Sequence, residues 1–299
     1  MGTLGVLNNF ANSSTDLPRL HRIRYYLSDM KSAKELAFIY DLYIVPNWRE
    51  AFDAAIDETL KLPKSGRILD AGCGTGTFAF DLAVKMGERG EVIAVEEDEE
   101  RLKLALGKNS IKNLENLKFI QAPLDSISSL ERAFDLAILD VSLFSPMQIH
   151  DDLENILSDL KKTCVEDATF IMKTATRGTF DEFFSVYWEA LFELDLPAEG
   201  LEELILNRVT VDEAEQYVKE AGFREVESST LKCELLFEDG KSFIEDPIIE
   251  SYFLDDWLAI VAEDQRSRVK AALIEVIDRT REGEKFDASF KVTLVTATA

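Results

Sequence analysis

The chain has 299 residues, 46% apolar and 30% charged, which is room for one large or two modest domains with a sizeable core and excludes disorder as its main state. Asp and Glu outnumber Lys and Arg by 57 to 33, and the net charge of −24 repels phosphate backbones and anionic lipid heads, which argues against nucleic-acid and membrane partners. Cys73, Cys164 and Cys233 are odd in number and far apart, and with His21 and His150 they assemble no metal-binding spacing, so no metal and reduced thiols in a cytoplasm are expected.

After a polar, Asn- and Ser-rich opening, Leu36, Ile39, Tyr40 and Tyr43 recur at helical spacing until Pro46 breaks the pattern, and Trp48 to Leu60 resumes it. Residues 1–62 therefore read as an N-terminal helical cap. From Gly66 onward, short apolar runs at Arg67 to Ala71, Val92 to Val95, Leu117 to Gln121, Phe134 to Leu139 and Thr169 to Lys173 have the length of buried strands. Amphipathic stretches near Phe78 to Met86, Glu99 to Leu106, Leu153 to Lys162 and Phe180 to Leu194 separate them, an alternation that predicts an α/β fold with a mostly parallel sheet and helices on both faces. Farther on, Val211 to Ala221 reads as a helix closed by Gly222, Phe223 to Leu236 as a strand, and Phe290, Val292, Leu294 and Thr296 alternate as a last strand. Between those strands, Asp246 to Arg281 carries enough apolar residues for about two amphipathic helices, a lid at about 240–285 inside a domain that spans 63–299.

Chemistry concentrates in one place. Arg67 to Phe78 is a strand, a glycine-spaced turn and a helix start, and glycines at 72, 74 and 76 let the backbone turn sharply with amide hydrogens facing a ligand. The second strand ends at Glu96, where doubly wound nucleotide folds place a carboxylate that accepts from both ribose hydroxyls. The dinucleotide fingerprint needs its third glycine one residue later, so NAD is disfavoured, and no P-loop sequence occurs.

The run Leu69-Asp70-Ala71-Gly72-Cys73-Gly74-Thr75-Gly76 resembles motif I of the class I S-adenosylmethionine-dependent methyltransferases, an acidic residue after a hydrophobic strand followed by x-Gly-x-Gly-x-Gly. The resemblance implies a seven-stranded Rossmann-like sheet of order 3-2-1-4-5-7-6 with a helical insertion before the last strand, and S-adenosyl-L-methionine as cofactor. By the same resemblance, Gly72, Gly74, Gly76 and the backbone at Ala71 would lie against the methionine and ribose part, and Asp70 would orient the loop or the ammonium group. Glu96 matches the ribose-binding acid and Glu97 the position beside adenine. Pro123 stands where many members have an Asp for the adenine amino group, which leaves Leu124 to hold the base. Asp140 and Val141 match the segment along the methionine moiety. Tyr40 matches a residue that closes over the cofactor, although an aromatic stripe on an amphipathic helix is also ordinary core, and Trp48 reads as packing.

Methyl transfer from a sulfonium is an in-line displacement with an activated electrophile, so a general base is needed only if the acceptor must lose a proton. His150 begins a helix after the fourth strand and is the candidate base, against the plainer reading of a surface or capping histidine. Cys73 reads as a small packing residue. Phe253, Leu254, Trp257, Leu258 and Ile260 either wall an apolar acceptor pocket or bury a helix on the sheet. The implied activity is methylation of a small organic acceptor, with a homodimer as an admissible assembly. Two alternatives stand beside it: a non-catalytic cofactor-binding partner or regulatory subunit, and a protein methyltransferase whose acidic groove suits a basic partner.

Overall fold

In a computed structural model, which describes residues 31–129, 133–281 and 283–299, the apolar runs form a sheet of seven strands. These are β1 (Gly66–Ala71), β2 (Gly90–Glu96), β3 (Leu117–Gln121), β4 (Phe134–Asp140), β5 (Cys164–Ala175), β6 (Arg224–Phe237) and β7 (Phe286–Thr298). Their spatial order is β3-β2-β1-β4-β5-β7-β6, with β1 to β5 parallel and β7 antiparallel to both of its neighbours. The order is the one the motif implied.

Strand periodicity decides what each face carries. On β1, β4 and β5, Ile68, Leu136, Ile138 and Ile171 enter one hydrophobic cluster, whereas Leu69, Ala137, Leu139, Phe170 and Met172 enter the other. Asp70, Asp140 and Lys173 fall in phase with the first set, and the register pairs Asp140 directly with Lys173. An apolar strand face thus ends in charge at its C-terminal edge, which is where open α/β sheets bind ligands.

Helices α1 (Ala33–Ile39), α2 (Glu50–Thr59), α3 (Thr77–Met86), α4 (Glu99–Lys112), α5 (Pro146–Lys161), α6 (Asp181–Glu193), α7 (Glu199–Leu206) and α8 (Val211–Glu220) follow in chain order. The insertion before β7 adds α9 (Gly240–Ile244), α10 (Leu254–Leu258) and α11 (Arg266–Arg281). Residues of α2, α3, α6 and α11 fill the first cluster and those of α5 and α8 the second. Start signals are explicit at α5, where Ser145 and Gln148 form a capping box ahead of Pro146, and at α8, where Thr210 and Glu213 do the same. No helix among the described residues is long and apolar enough to cross a membrane.

Three expectations change. First, Pro46 does not break the N-terminal helix: Tyr40–Arg49 is a π-helix that runs from α1 into α2, its wider turns accommodating a residue that lacks an amide hydrogen, and the amide of Glu50 donates to the Val45 carbonyl. Second, residues 1–30 of the expected cap lie outside the described residues, and its later helices are no separate layer, because Ala33–Ala299 forms one compact unit. Trp48 stacks on Phe290 of β7 with ring centroids 4.3 Å apart. Third, the insertion also contributes to the core. Trp257 stacks on Phe183 of α6 at 4.4 Å, and Leu254 and Leu258 are buried with it. A second π-helix, Ile249–Phe253, reaches toward the N-terminal segment, where the Tyr252 hydroxyl donates to the Leu36 carbonyl at 3.0 Å.

Candidate active site

Where β1 ends, the chain turns through Gly72, Gly74 and Gly76 with φ of +78°, +61° and +84°, backbone states in which an L side chain is strained. Space forbids a side chain as well, since a Cβ at Gly72 would lie 2.8 Å from the Asp140 carbonyl oxygen. The amides of Gly72 and Cys73 both donate to the Val95 carbonyl, at 2.9 and 3.0 Å, which fixes the turn against β2. Glu96 completes the brace: its carboxylate accepts from the Gly74 amide at 2.7 Å and from the Asp98 amide at 2.9 Å, with Arg101 at 3.7 Å.

Asp140 ends β4 within 2.8 Å of the Arg49 guanidinium and 3.8 Å of the Lys173 ammonium. Burial raises its pKa, but Arg49, Lys173 and the hydrogen bonds from Ser142 outweigh burial and hold the carboxyl below its usual range. Ser142 also accepts from the Trp48 indole at 3.1 Å and donates to Asp140 at 2.7 Å, so the aromatic core and the charged edge share one hydrogen-bond chain. Lys173 is fully buried, bonds Asp53 of α2, and lies 4.0 Å from the centre of the Phe78 ring. Asp70 is also fully buried, yet neither of its carboxylate oxygens has a hydrogen-bond partner among the described residues. Burial pushes its pKa to about 6, against the pull of Lys173 and Arg49.

Over this edge lies the N-terminal π-helix. The Arg49 guanidinium donates to the Tyr40 hydroxyl at 2.5 Å, and both groups sit so close to Gly74 that a Cβ there would collide with them. Burial drives the Tyr40 pKa well above its ordinary value, so the hydroxyl stays protonated. Arg101 covers the Tyr40 ring at 4.4 Å. Val45, Arg49, Asp53, Cys73, Thr77 and Phe78 line a crevice between the segment and the loop that is too tight to admit a water molecule.

The structure therefore brings together Tyr40, Asp70, Gly72, Gly74, Gly76, Glu96 and Asp140. It does not bring in the others by their side chains. Ala71, Leu124 and Val141 are buried in the opposite hydrophobic cluster, which leaves them only their backbone, while Glu97 and Pro123 are exposed at the ends of β2 and β3. His150 is exposed on α5, with Nδ1 3.1 Å from the Tyr217 hydroxyl and Nε2 2.9 Å from the Asn207 carbonyl oxygen. Both ring nitrogens are thus engaged in a surface contact away from Asp140, and a role as base loses its geometric support. Cys73 is buried, and burial followed by the charges of Asp70 and Glu96 pushes its thiol well up, which suits packing and not nucleophilic attack. Sequence reading missed the partners Asp53, Arg101 and Lys173. A charged residue inside the apolar run Thr169 to Lys173 was the available signal for Lys173; Asp53 and Arg101 had none.

Comparison with known proteins bears on the family and the fold. A family model described as a methyltransferase domain matches residues 62–222, more than half of the chain. A demethylmenaquinone methyltransferase of Lactococcus lactis is 29% identical over 103 residues, 33% of this chain and 41% of that protein, so the chain matches less than half of that relative's length. The protein of the same name from Geobacillus kaustophilus is 24% identical over 192 residues, covering 60% of this chain and 78% of its own length. Among solved structures, a Haemonchus contortus phosphoethanolamine N-methyltransferase 2 in complex with S-adenosyl-L-methionine superposes with a TM-score of 0.53 at 14% identity, over 93% of this chain and 58% of that one, a likeness of fold.

Proposed function

The chain belongs to the methyltransferase-domain family, and from that premise we propose that it transfers the methyl group of S-adenosyl-L-methionine to a small organic acceptor. The observation that carries this reading is the convergence of three carboxylates, Asp70, Glu96 and Asp140, from the ends of three neighbouring strands around a turn of left-handed glycines. That donor set fits the cofactor. Asp140 and the unpartnered Asp70 offer negative charge to an ammonium, Glu96 offers acceptors to sugar hydroxyls, and Arg49 offers a guanidinium to a carboxylate.

Bound S-adenosyl-L-methionine supplies an already activated methyl group, so the chain's own work is to bind, orient and exclude water. Glu96 and the amide of Gly74 form one rigid unit, which presets the distance between the glycine turn and the end of β2. Ser142 and Trp48 hold Asp140 from the core side, so its carboxylate cannot drift with solvent. Trp48, joined to Asp140 through Ser142, packs on Phe180 and Phe253, so the core side of Asp140 is aromatic, and this favours an apolar acceptor. The two curated relatives, both named demethylmenaquinone methyltransferases, support an acceptor of that kind.

Calorimetry tests the cofactor. S-adenosyl-L-methionine is expected to give a saturable heat and NAD none. Glu96→Ala is expected to weaken binding by about 1.5–3 kcal/mol, the cost of hydrogen bonds to a charged acceptor. Unchanged affinity in that variant would remove the ribose role of Glu96, and a saturable heat with NAD alone would remove the cofactor assignment.

A further inference from the structure

Arg208 differs from the other buried cations of the molecule. Only 8% exposed, it lies between α7 and α8, and its guanidinium makes one hydrogen bond among the described residues, a long one of 3.4 Å to the Ala175 carbonyl, while its Nε has no partner. Asp181 of α6 and Asp256 of α10 act on its charge, yet neither forms an ion pair with it among the described residues, in a chain where acids outnumber Lys and Arg by 57 to 33. Its counterparts are answered. Arg49 meets Asp140, and Lys173 meets Asp53 and Asp140. Burial lowers the Arg208 pKa to about 10, which still leaves it charged at neutral pH.

Its position is the ligand edge of the sheet. The Lys173 carbonyl accepts from the Val141 amide at 3.0 Å and so points toward β4. Carbonyls two residues apart on a strand point the same way, so the Ala175 carbonyl also points to the β4 side, at a level that β4 does not reach because its pairing with β5 ends at Asp140 and Lys173. Arg208 meets β5 at that level, about 7 Å along the strand from the residue paired with Asp140. The connection that carries it is fixed: the Arg177 amide donates to the Val209 carbonyl at 2.8 Å, and the Arg177 side chain donates to the carbonyls of Arg208 and Leu206. Ala175 itself belongs to the hydrophobic cluster of Trp48, Phe180 and Phe253. A guanidinium and an aromatic core thus border the same strand end.

Resting on the cofactor assignment above, we propose that the methyl acceptor is an apolar organic acid and that Arg208 binds its anionic oxygens. A planar carboxylate matches the fork of donors that the fold leaves unused, whereas a neutral amide or hydroxyl offers the fork no charge. Burying a guanidinium without a counterion costs stability, and an arriving acid offsets that cost by bringing the opposite charge. The two arginines then divide the work: Arg49, at Asp140, faces the cofactor's carboxylate, and Arg208, past the end of β4, faces the acceptor's.

Calorimetry on the full chain saturated with S-adenosylhomocysteine tests this, with a panel of aromatic and aliphatic carboxylates as probes, each beside its neutral amide. The acids that bind are expected to do so at least about tenfold more tightly than their amides, Arg208→Gln to abolish that preference, and Arg208→Lys to keep part of it. Neither variant is expected to alter the affinity for S-adenosylhomocysteine. Urea unfolding of the ligand-free chain separates this role from a structural one: Arg208→Met is expected to keep or raise the midpoint, since it removes a buried charge that has no ion pair. Acids and amides that bind equally, no binding by any member of the panel, a preference that survives in Arg208→Gln, or a lower midpoint for Arg208→Met would each overturn the proposal and leave the cofactor assignment standing. A wild type that does not bind S-adenosylhomocysteine would overturn that assignment, and this proposal with it.

Discussion

Asp70 and Asp140 are adjacent acids with opposite titration behaviour, and the difference comes from partners. Asp140 has Arg49, Lys173 and Ser142 around it, which more than offset burial, while burial dominates at Asp70, whose oxygens find no hydrogen bond among the described residues. A carboxyl raised to about 6 when folded binds its proton more tightly in the native state than in the unfolded one. Its contribution to stability is therefore fully present below the unfolded pKa of about 3.9 and is lost as pH rises through about 6, at most about 3 kcal/mol in all. Asp140 has the reverse sign: its contribution is present above the unfolded pKa and is lost as pH falls through the depressed folded one. Asp70→Asn is expected to match the wild type near pH 4 and to exceed its stability by about 1–3 kcal/mol at pH 7, measured as paired urea unfolding curves across that range. A difference that does not depend on pH would show that Asp70 is not the buried acid described.

At the scale of elements, the N-terminal segment stands on Trp48. Its indole is fully buried, contacts Phe52, Phe180, Phe253 and Phe290, and donates to Ser142. Trp48→Ala is expected to cost about 3–5 kcal/mol in chemical denaturation, as for other large buried aromatics, and Trp48→Phe less than half of that, since the ring stack survives and only the indole bond and part of the area are lost. Equal losses would mean that the hydrogen bond to Ser142, not the stack, holds the segment. The helical periodicity of this region was legible in Leu36, Ile39, Tyr40 and Tyr43, and so was the aromatic stripe. Its path through Pro46 was not, because a local rule treats proline as a stop and the wider turn that admits it is set by tertiary contacts of Tyr40 and Arg49. The insertion was ambiguous for a related reason: apolar residues at helical spacing say that a face is buried, but not against what.

For the molecule as a whole, β1, β2 and β4 were legible because both of their faces are buried and each is a short apolar run, and the carboxylates at 70, 96 and 140 because each ends such a run. The pairing of Lys173 with Asp53 spans 120 residues, and no periodicity reports on a contact between two segments that far apart. Net charge is a further property of the whole chain that sequence does give. With −24 overall, self-repulsion among surface carboxylates opposes the compact state, and exposed pairs such as Arg279 with Glu189 and Glu193 offset little of it. Salt screens both effects, yet the excess of like charge is the larger, because an exposed pair contributes about 0–1 kcal/mol and repulsion acts over the whole surface at the roughly 30 Å screening length of 0.01 M salt. Raising sodium chloride from about 0.01 to about 0.15 M shortens that length to about 8 Å and is expected to raise the thermal midpoint by about 2–5 °C, equivalent to about 1 kcal/mol for a chain of this size. The buried ions Arg49, Asp140 and Lys173 are shielded from salt, so they should change little in the same titration, and scanning calorimetry that found a falling midpoint would mean that surface pairs, not net charge, govern the stability of this fold.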